Sequence, residues 1–280
     1  MILIEAASLG RLFFFWSIRE AMRVPKRSSP GVLVLAVFVV AVFGALMLAT
    51  TTGIAAPSPC SARSGATVPV VVELYTSEGC DSCPPADRWL SSLKGRVGVV
   101  PLAFHVDYWD SRDWKDRFAQ PKFTRRQNAA LRTSGGRFAY TPQVIVDGRD
   151  EPDWNRWPAT ALQPSRPATV DMALSQDAAG LELTLTPRAG APAELAGYVA
   201  VVDDGMQTHV DAGENRGATL QQDSVVRELL PWTAAGTPPV PLRFTSRTTP
   251  EPGAARHWVA VATDGPYGRP VQAVTLACAP

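Results

Sequence analysis

Cys80 and Cys83, in the stretch EGCDSCPP, are separated by two residues and lie between an apolar strand-like run and a helical pattern. At the mouth of a helix, unpaired amide N–H groups and the dipole favour an anion, so the first sulfur would be a stabilised thiolate able to attack a disulfide. The second, one turn deeper, would resolve the mixed disulfide. That chemistry requires the outer sulfur to be reachable from solvent. Pro84 and Pro85 are tolerated in a first helical turn, and two in succession place the start of the regular helix beside Cys83. Further along, Thr141-Pro142 directly precedes the run QVIVDG. A cis bond there, essentially a proline option, would present the Thr141 backbone beside the cysteines.

Three readings of the pair stay open: a redox couple, a structural bridge and a metal site. A bridge this short closes little loop entropy, which weakens the structural reading. His105, in FHVDYWD, falls at the end of a predicted strand, the edge where α/β sites gather. Cys80, Cys83 and His105 would make a soft-ligand set suited to copper(I) outside the cytosol. Trp109 and Trp114 either rim a peptide site or pack beneath their loop. Asp107 and Asp110 are expected to shape that loop, TRRQ (124–127) to be a solvated helix face, and GENRG (213–217) to be a loop of the C-terminal half.

The elements that must position these groups are readable from period and punctuation. VPVVVELYT (68–76) is a continuous β-branched run, as in a strand buried on both faces of a mostly parallel sheet. Ala86, Trp89, Leu90 and Leu93 recur at helical spacing, and Gly95 ends that helix. VGVVPLAFHVDYW is a second strand; a polar helix over 121–131, stopped by Gly135 and Gly136, and the strand PQVIVDG follow. This alternation predicts an α/β domain over 66–163. Beyond it, short alternating runs predict an all-β, sandwich-like domain over 164–280, with DDG (203–205) as a hairpin turn.

Composition narrows the setting. The 27 Lys/Arg and 26 Asp/Glu nearly cancel, and without residues 1–56 the balance is 22 against 24. No concentrated basic face is visible, which argues against a nucleic-acid partner. From Met22 a basic stretch leads into an apolar run over 32–49 and then small residues, the pattern of an export signal, with translation starting at Met22. The run is also long enough to be an N-terminal membrane anchor. Residues 57–65 read as a linker. The rest of the chain is then expected outside the cytosol, periplasmic or extracellular, where four cysteines form disulfides. Cys60 and Cys278 are the expected partners, closing the mature chain into one loop.

Strand, C-x-x-C helix and Thr-Pro strand together resemble the thioredoxin superfamily. The resemblance implies Cys80 as nucleophile, Cys83 as resolving thiol, Pro142 as a peptide-contacting cis-proline beside Thr141, and Glu73 as the buried acid that manages the inner thiol's proton. VVELYTSEGCDSCPPAD, FHVDYWDSRDWKDRFA, YTPQVIVDGR and GENRGATLQQDSVVREL are similar to successive blocks of the exported thioredoxin-like proteins grouped as domain of unknown function 1223, over about 68–278. The functional expectation is thiol-disulfide exchange with protein or small-molecule thiols and no organic cofactor. A copper chaperone using the same cysteines and a non-catalytic adaptor are the alternatives.

Overall fold

The computed structural model describes residues 60–234 and 240–278. The expected export signal or anchor (residues 1–56, with Met22 and the run 32–49) lies outside the described residues, among which no helix is long and apolar enough to cross a membrane.

The first part of the chain runs β1 (Cys60–Arg63), β2 (Val70–Thr76), α1 (Pro84–Ser91), β3 (Val99–His105), α2 (Pro121–Ser134), β4 (Gln143–Val146) and β5 (Arg149–Asp150). The remainder is β6 (Val170–Asp177), β7 (Gly180–Pro187), β8 (Leu195–Asp204), β9 (Met206–His209), β10 (Thr219–Gln222), β11 (Val225–Ala234), β12 (Val240–Phe244), β13 (Ala255–Asp264) and β14 (Pro270–Leu276). Every residue of β2 is buried, as its unbroken apolar sequence requires. Phe123, Gln127 and Leu131 repeat every four residues on the buried side of α2, and Gly135 ends it in the left-handed conformation, φ 76°.

Pairing between strands overturns the expected architecture. A single eight-stranded sheet runs β14-β13-β8-β11-β3-β2-β4-β5, and a four-stranded sheet runs β1-β6-β7-β12. The α/β thioredoxin-like domain followed by a separate all-β domain is therefore not the fold. The chain is predominantly β, with helices of eight and fourteen residues among the described residues. Nor is the large sheet mostly parallel: β2 pairs β3 in parallel but β4 antiparallel, and β8 pairs β11 and β13 antiparallel. The seam between the halves is the parallel bridge Val225–Ala103, with the Ala103 amide donating to the Ser224 carbonyl at 2.7 Å.

Side-chain alternation explains why one sheet forms. Val71, Tyr75, Leu102 and Phe104 from one half share a face and a core with Tyr198 and Val261 from the other, and Phe123 of α2 covers it. On the reverse face the core has two parts. Near β2–β4, α1 buries Ala86 and Leu90 on Val72 and Leu74. Near β8–β14, the four-stranded sheet closes over Val199, Val201 and Leu276, giving a sandwich. The predicted linker contains β1, which pairs β6, and Cys60 is joined to Cys278 across this edge. The DDG stretch turns at Gly205 (φ 75°) without making a hairpin, because β9 pairs β10 and β8 stays within the large sheet.

Candidate functional site around the Cys80–Cys83 disulfide

After β2 the chain makes a tight turn in which the Gly79 amide donates to Ser77 Oγ and the Cys80 amide to the Ser77 carbonyl, at 3.1 and 3.2 Å. Cys83, not Cys80, is the N-cap of α1, and Pro84 and Pro85 fill its first turn. Prolines have no amide hydrogen, so the helix offers the outer sulfur fewer donors than a non-prolyl first turn would. Cys80 and Cys83 are joined as a disulfide, and both residues are fully buried, contrary to the expected solvent-reachable outer sulfur.

Two segments close over the turn. Asn215, in the loop between β9 and β10, donates from Nδ2 to the carbonyls of Glu78 (2.9 Å) and Cys80 (2.8 Å). Beside it, Glu214 accepts from the Asp81 amide at 3.3 Å. Gly213 and Gly217 bound this loop with φ of 83° and 82°, in the region that favours glycine. From the other side Trp109 packs on Gly79 so tightly that a Cβ there would meet the Trp109 Cβ at 3.2 Å. The Trp109 indole N–H donates to Thr141 Oγ1 at 2.7 Å, and the Thr141-Pro142 bond is cis. Because Tyr75 is paired with Gln143, Pro142 lies level with Thr76, at the start of the cysteine turn.

Beneath the turn four ionisable side chains are buried together: Glu78, Asp87, His105 and Asp116. Asp116 is the organiser. Its Oδ2 meets His105 Nδ1 at 2.6 Å and accepts the Glu78 amide at 2.8 Å, while its Oδ1 accepts the Phe118 amide at 2.8 Å. Burial would raise the Asp116 pKa, but the His105 charge and these bonds hold it below the ordinary value. Burial opposes charge on His105, yet Asp116 outweighs it and the imidazole pKa is raised. Glu78 is pushed up by burial and by the Asp116 charge. Asp87, one helical turn beyond Cys83, is pushed to about 6, chiefly by burial. His105 Nε2, Glu78 Oε2 and Thr76 Oγ1 are buried without hydrogen-bond partners. Asp87 also lines a cavity of about 180 Å³ between α1 and β10.

Glu73 is elsewhere. Alternation along β2 puts it with Val71 and Tyr75, on the face opposite α1. There it pairs with Arg126 (2.5 Å) and accepts from the Tyr198 hydroxyl (2.6 Å). Arg126 is thus largely buried rather than part of a solvated helix face. Asp107 and Asp110 hold their loop, accepting from Thr124 and from the Asp116 amide. Among the described residues no group of three or more His, Cys, Asp and Glu is arranged to hold a metal ion.

Fold and site define a β-sandwich protein whose large sheet carries a shielded C-x-x-C disulfide on a bed of buried acids and a histidine. The chain belongs to the family described as protein of unknown function DUF1223, which matches residues 71–262. Among solved structures it is similar to protein AGR_C_4864 from Agrobacterium tumefaciens, at 23% identity and TM-score 0.56, over 76% of this chain and 96% of that one. A weaker likeness is to HBP35 of Porphyromonas gingivalis, at 15% identity and TM-score 0.46, over 76% of each chain. No curated protein matches.

Proposed function

We propose that this protein exchanges disulfides with protein or small-molecule thiols, with Cys80–Cys83 as its redox couple, in an oxidising compartment outside the cytosol. The observation that carries this reading is the buried cluster of Glu78, Asp87, His105 and Asp116 packed beneath the cysteine turn, with three polar atoms of the region unpartnered. Buried ionisable groups with displaced pKa values concentrate at functional sites, and a disulfide needing only mechanical strength would be better served by an apolar bed.

A substrate thiolate attacks Cys80 Sγ, forming a mixed disulfide as the Cys80–Cys83 bond breaks. The electron pair passes to Cys83 Sγ, which takes a proton. Asp87, with a pKa near 6 and one turn along the helix, is placed to manage that proton. A second substrate thiolate then attacks the mixed disulfide and releases Cys80, so two substrate thiols become one disulfide and the protein gains two electrons and two protons. The reverse reaction reduces a substrate, the direction being set by relative potentials. Because both sulfurs are buried, exchange requires the 213–217 loop to withdraw Asn215 from the Cys80 carbonyl. Its flanking glycines provide the backbone freedom.

The test is incubation of the oxidised protein with a dithiol peptide, following peptide disulfide by chromatography. Stoichiometric oxidation that is lost in Cys80→Ser and Cys83→Ser, both still folded by circular dichroism, is expected. A native protein that leaves the peptide reduced over hours would refute the reading and assign the bridge to structure.

A further inference from the structure

Away from the disulfide, a cleft of about 910 Å³ lies between α2 and the strands β8, β11 and β13. That volume is in the range of small-molecule sites. Lys122, Arg125, Arg126 and Arg132 of α2 line one side, with 122/125, 122/126 and 125/132 three, four and seven residues apart along one flank of the helix. Tyr198, Leu229, Pro231, Pro266 and Tyr267 contribute the apolar lining. No aspartate or glutamate is among its described lining residues.

Three of the four cations are not consumed by the fold. Among the described residues, Lys122, Arg125 and Arg132 make no salt bridge, whereas Arg126 spends its Nη2 on Glu73. Arg126 Nε is buried and has no acceptor. The guanidinium is held in place by stacking over the Tyr198 ring, 4.3 Å from its centroid, and stands 5.8 Å from the Tyr267 ring. Tyr267 itself is 44% exposed and is kept at the edge of the cleft by a left-handed backbone, φ 59°, uncommon for a residue with a side chain. Lys122 is partly desolvated, which lowers its pKa against the raising effect of Glu228. A bound anion would relieve that.

We propose that this cleft binds a small organic anion: a carboxylate carried on a planar apolar body. The carboxylate pairs with Lys122, Arg125 and Arg132, which have no salt bridge among the described residues, and the flat body lies against the tyrosine and proline faces. Charge complementarity excludes cations of the same shape, and the apolar walls exclude small inorganic anions as equal competitors.

Isothermal titration calorimetry on the full-length oxidised protein tests this with three probes of matched size: naphthoate, naphthalene methanol and naphthylmethylammonium. Naphthoate is expected to bind at least about tenfold more tightly than either of the others, the effect of one or two charge-assisted hydrogen bonds. Acetate and inorganic phosphate should bind at least about tenfold more weakly than naphthoate, because they forfeit the apolar contact. The double variant R125Q/R132Q alters two exposed side chains with no described ion pair, and is expected to lose about tenfold for naphthoate with an unchanged melting temperature. A Tyr267→Ser variant should weaken naphthoate and naphthalene methanol alike. Equal affinity for the three probes, acetate as tight as naphthoate, no naphthoate binding at millimolar concentration, or unchanged affinity in R125Q/R132Q would each overturn the assignment.

Discussion

Replacing Asp87 by Asn should stabilise the protein at neutral pH, and its pH dependence distinguishes a buried acid held against its preference from a helix residue of no special character. Asp87 is 8% exposed, and its pKa rises from 3.8 to about 6. At about 1.4 kcal/mol per pH unit, that rise corresponds to about 3 kcal/mol of penalty for the ionised form in the native state. Between the two values the native state retains a proton that the unfolded chain has released, so wild-type stability falls as pH rises from about 4 to about 6. His105 adds to the trend: its raised pKa supports stability that is present below about 6.5 and lost as pH climbs through the folded value. Asn has nearly the same shape and never ionises. Chemical denaturation of wild type and Asp87→Asn from pH 3.5 to 8 should therefore show near-equal stability at the acidic end and a gain approaching 3 kcal/mol for the variant above pH 7. Equal stability throughout, or a loss that does not vary with pH, would refute the desolvated-carboxyl reasoning.

Three further outcomes follow from particular contacts. Asn215→Ala removes two hydrogen bonds to buried carbonyls, together about 2 kcal/mol, and should speed reduction of Cys80–Cys83 by dithiothreitol roughly thirtyfold; an unchanged rate would show that the loop is no gate. Arg126→Met strands Glu73 in the interior and should destabilise by about 3 to 5 kcal/mol, most of it recovered in the double variant with Glu73→Gln; equal costs in single and double variants would contradict the pairing. Cys60→Ser with Cys278→Ser reopens a loop spanning 218 residues of sequence separation and should cost about 5 kcal/mol in urea unfolding, with C-x-x-C chemistry retained.

Local structure was legible because each element carries its own period. The apolar run ending at Thr76, the spacing of Ala86 and Leu90, and Gly135 after α2 each mark an element without reference to the rest of the chain. Strand pairing was not. Nothing in the residues around Ala103 marks Val225 as its neighbour, and the common core of Tyr75, Phe104 and Tyr198 needs contributions from both halves. Without that seam, a strand-helix-strand pattern reads as a separate α/β domain. The fully buried β2 also concealed which way Glu73 faces, since a run apolar on both sides leaves no polar face to read. Within the site, the cysteines and Thr141-Pro142 were visible from residue type alone. Asn215, 135 residues from Cys80, was not, although two glycines around ENR signalled an unusual loop. Asp87 and Asp116 belong to no motif in the sequence, and only the packing around His105 makes them a buried group.

Cys80–Cys83 is proposed as a working couple and Cys60–Cys278 as a fixed staple. Equilibrating the native protein in glutathione buffers of graded potential, trapping thiols by alkylation and counting them on each cysteine peptide by mass spectrometry tests it directly. Reversible reduction of Cys80 and Cys83 is expected at a potential above about −300 mV, with Cys60 and Cys278 still oxidised and the fold intact. A Cys80–Cys83 bridge that stays oxidised in every buffer until the protein unfolds would contradict it.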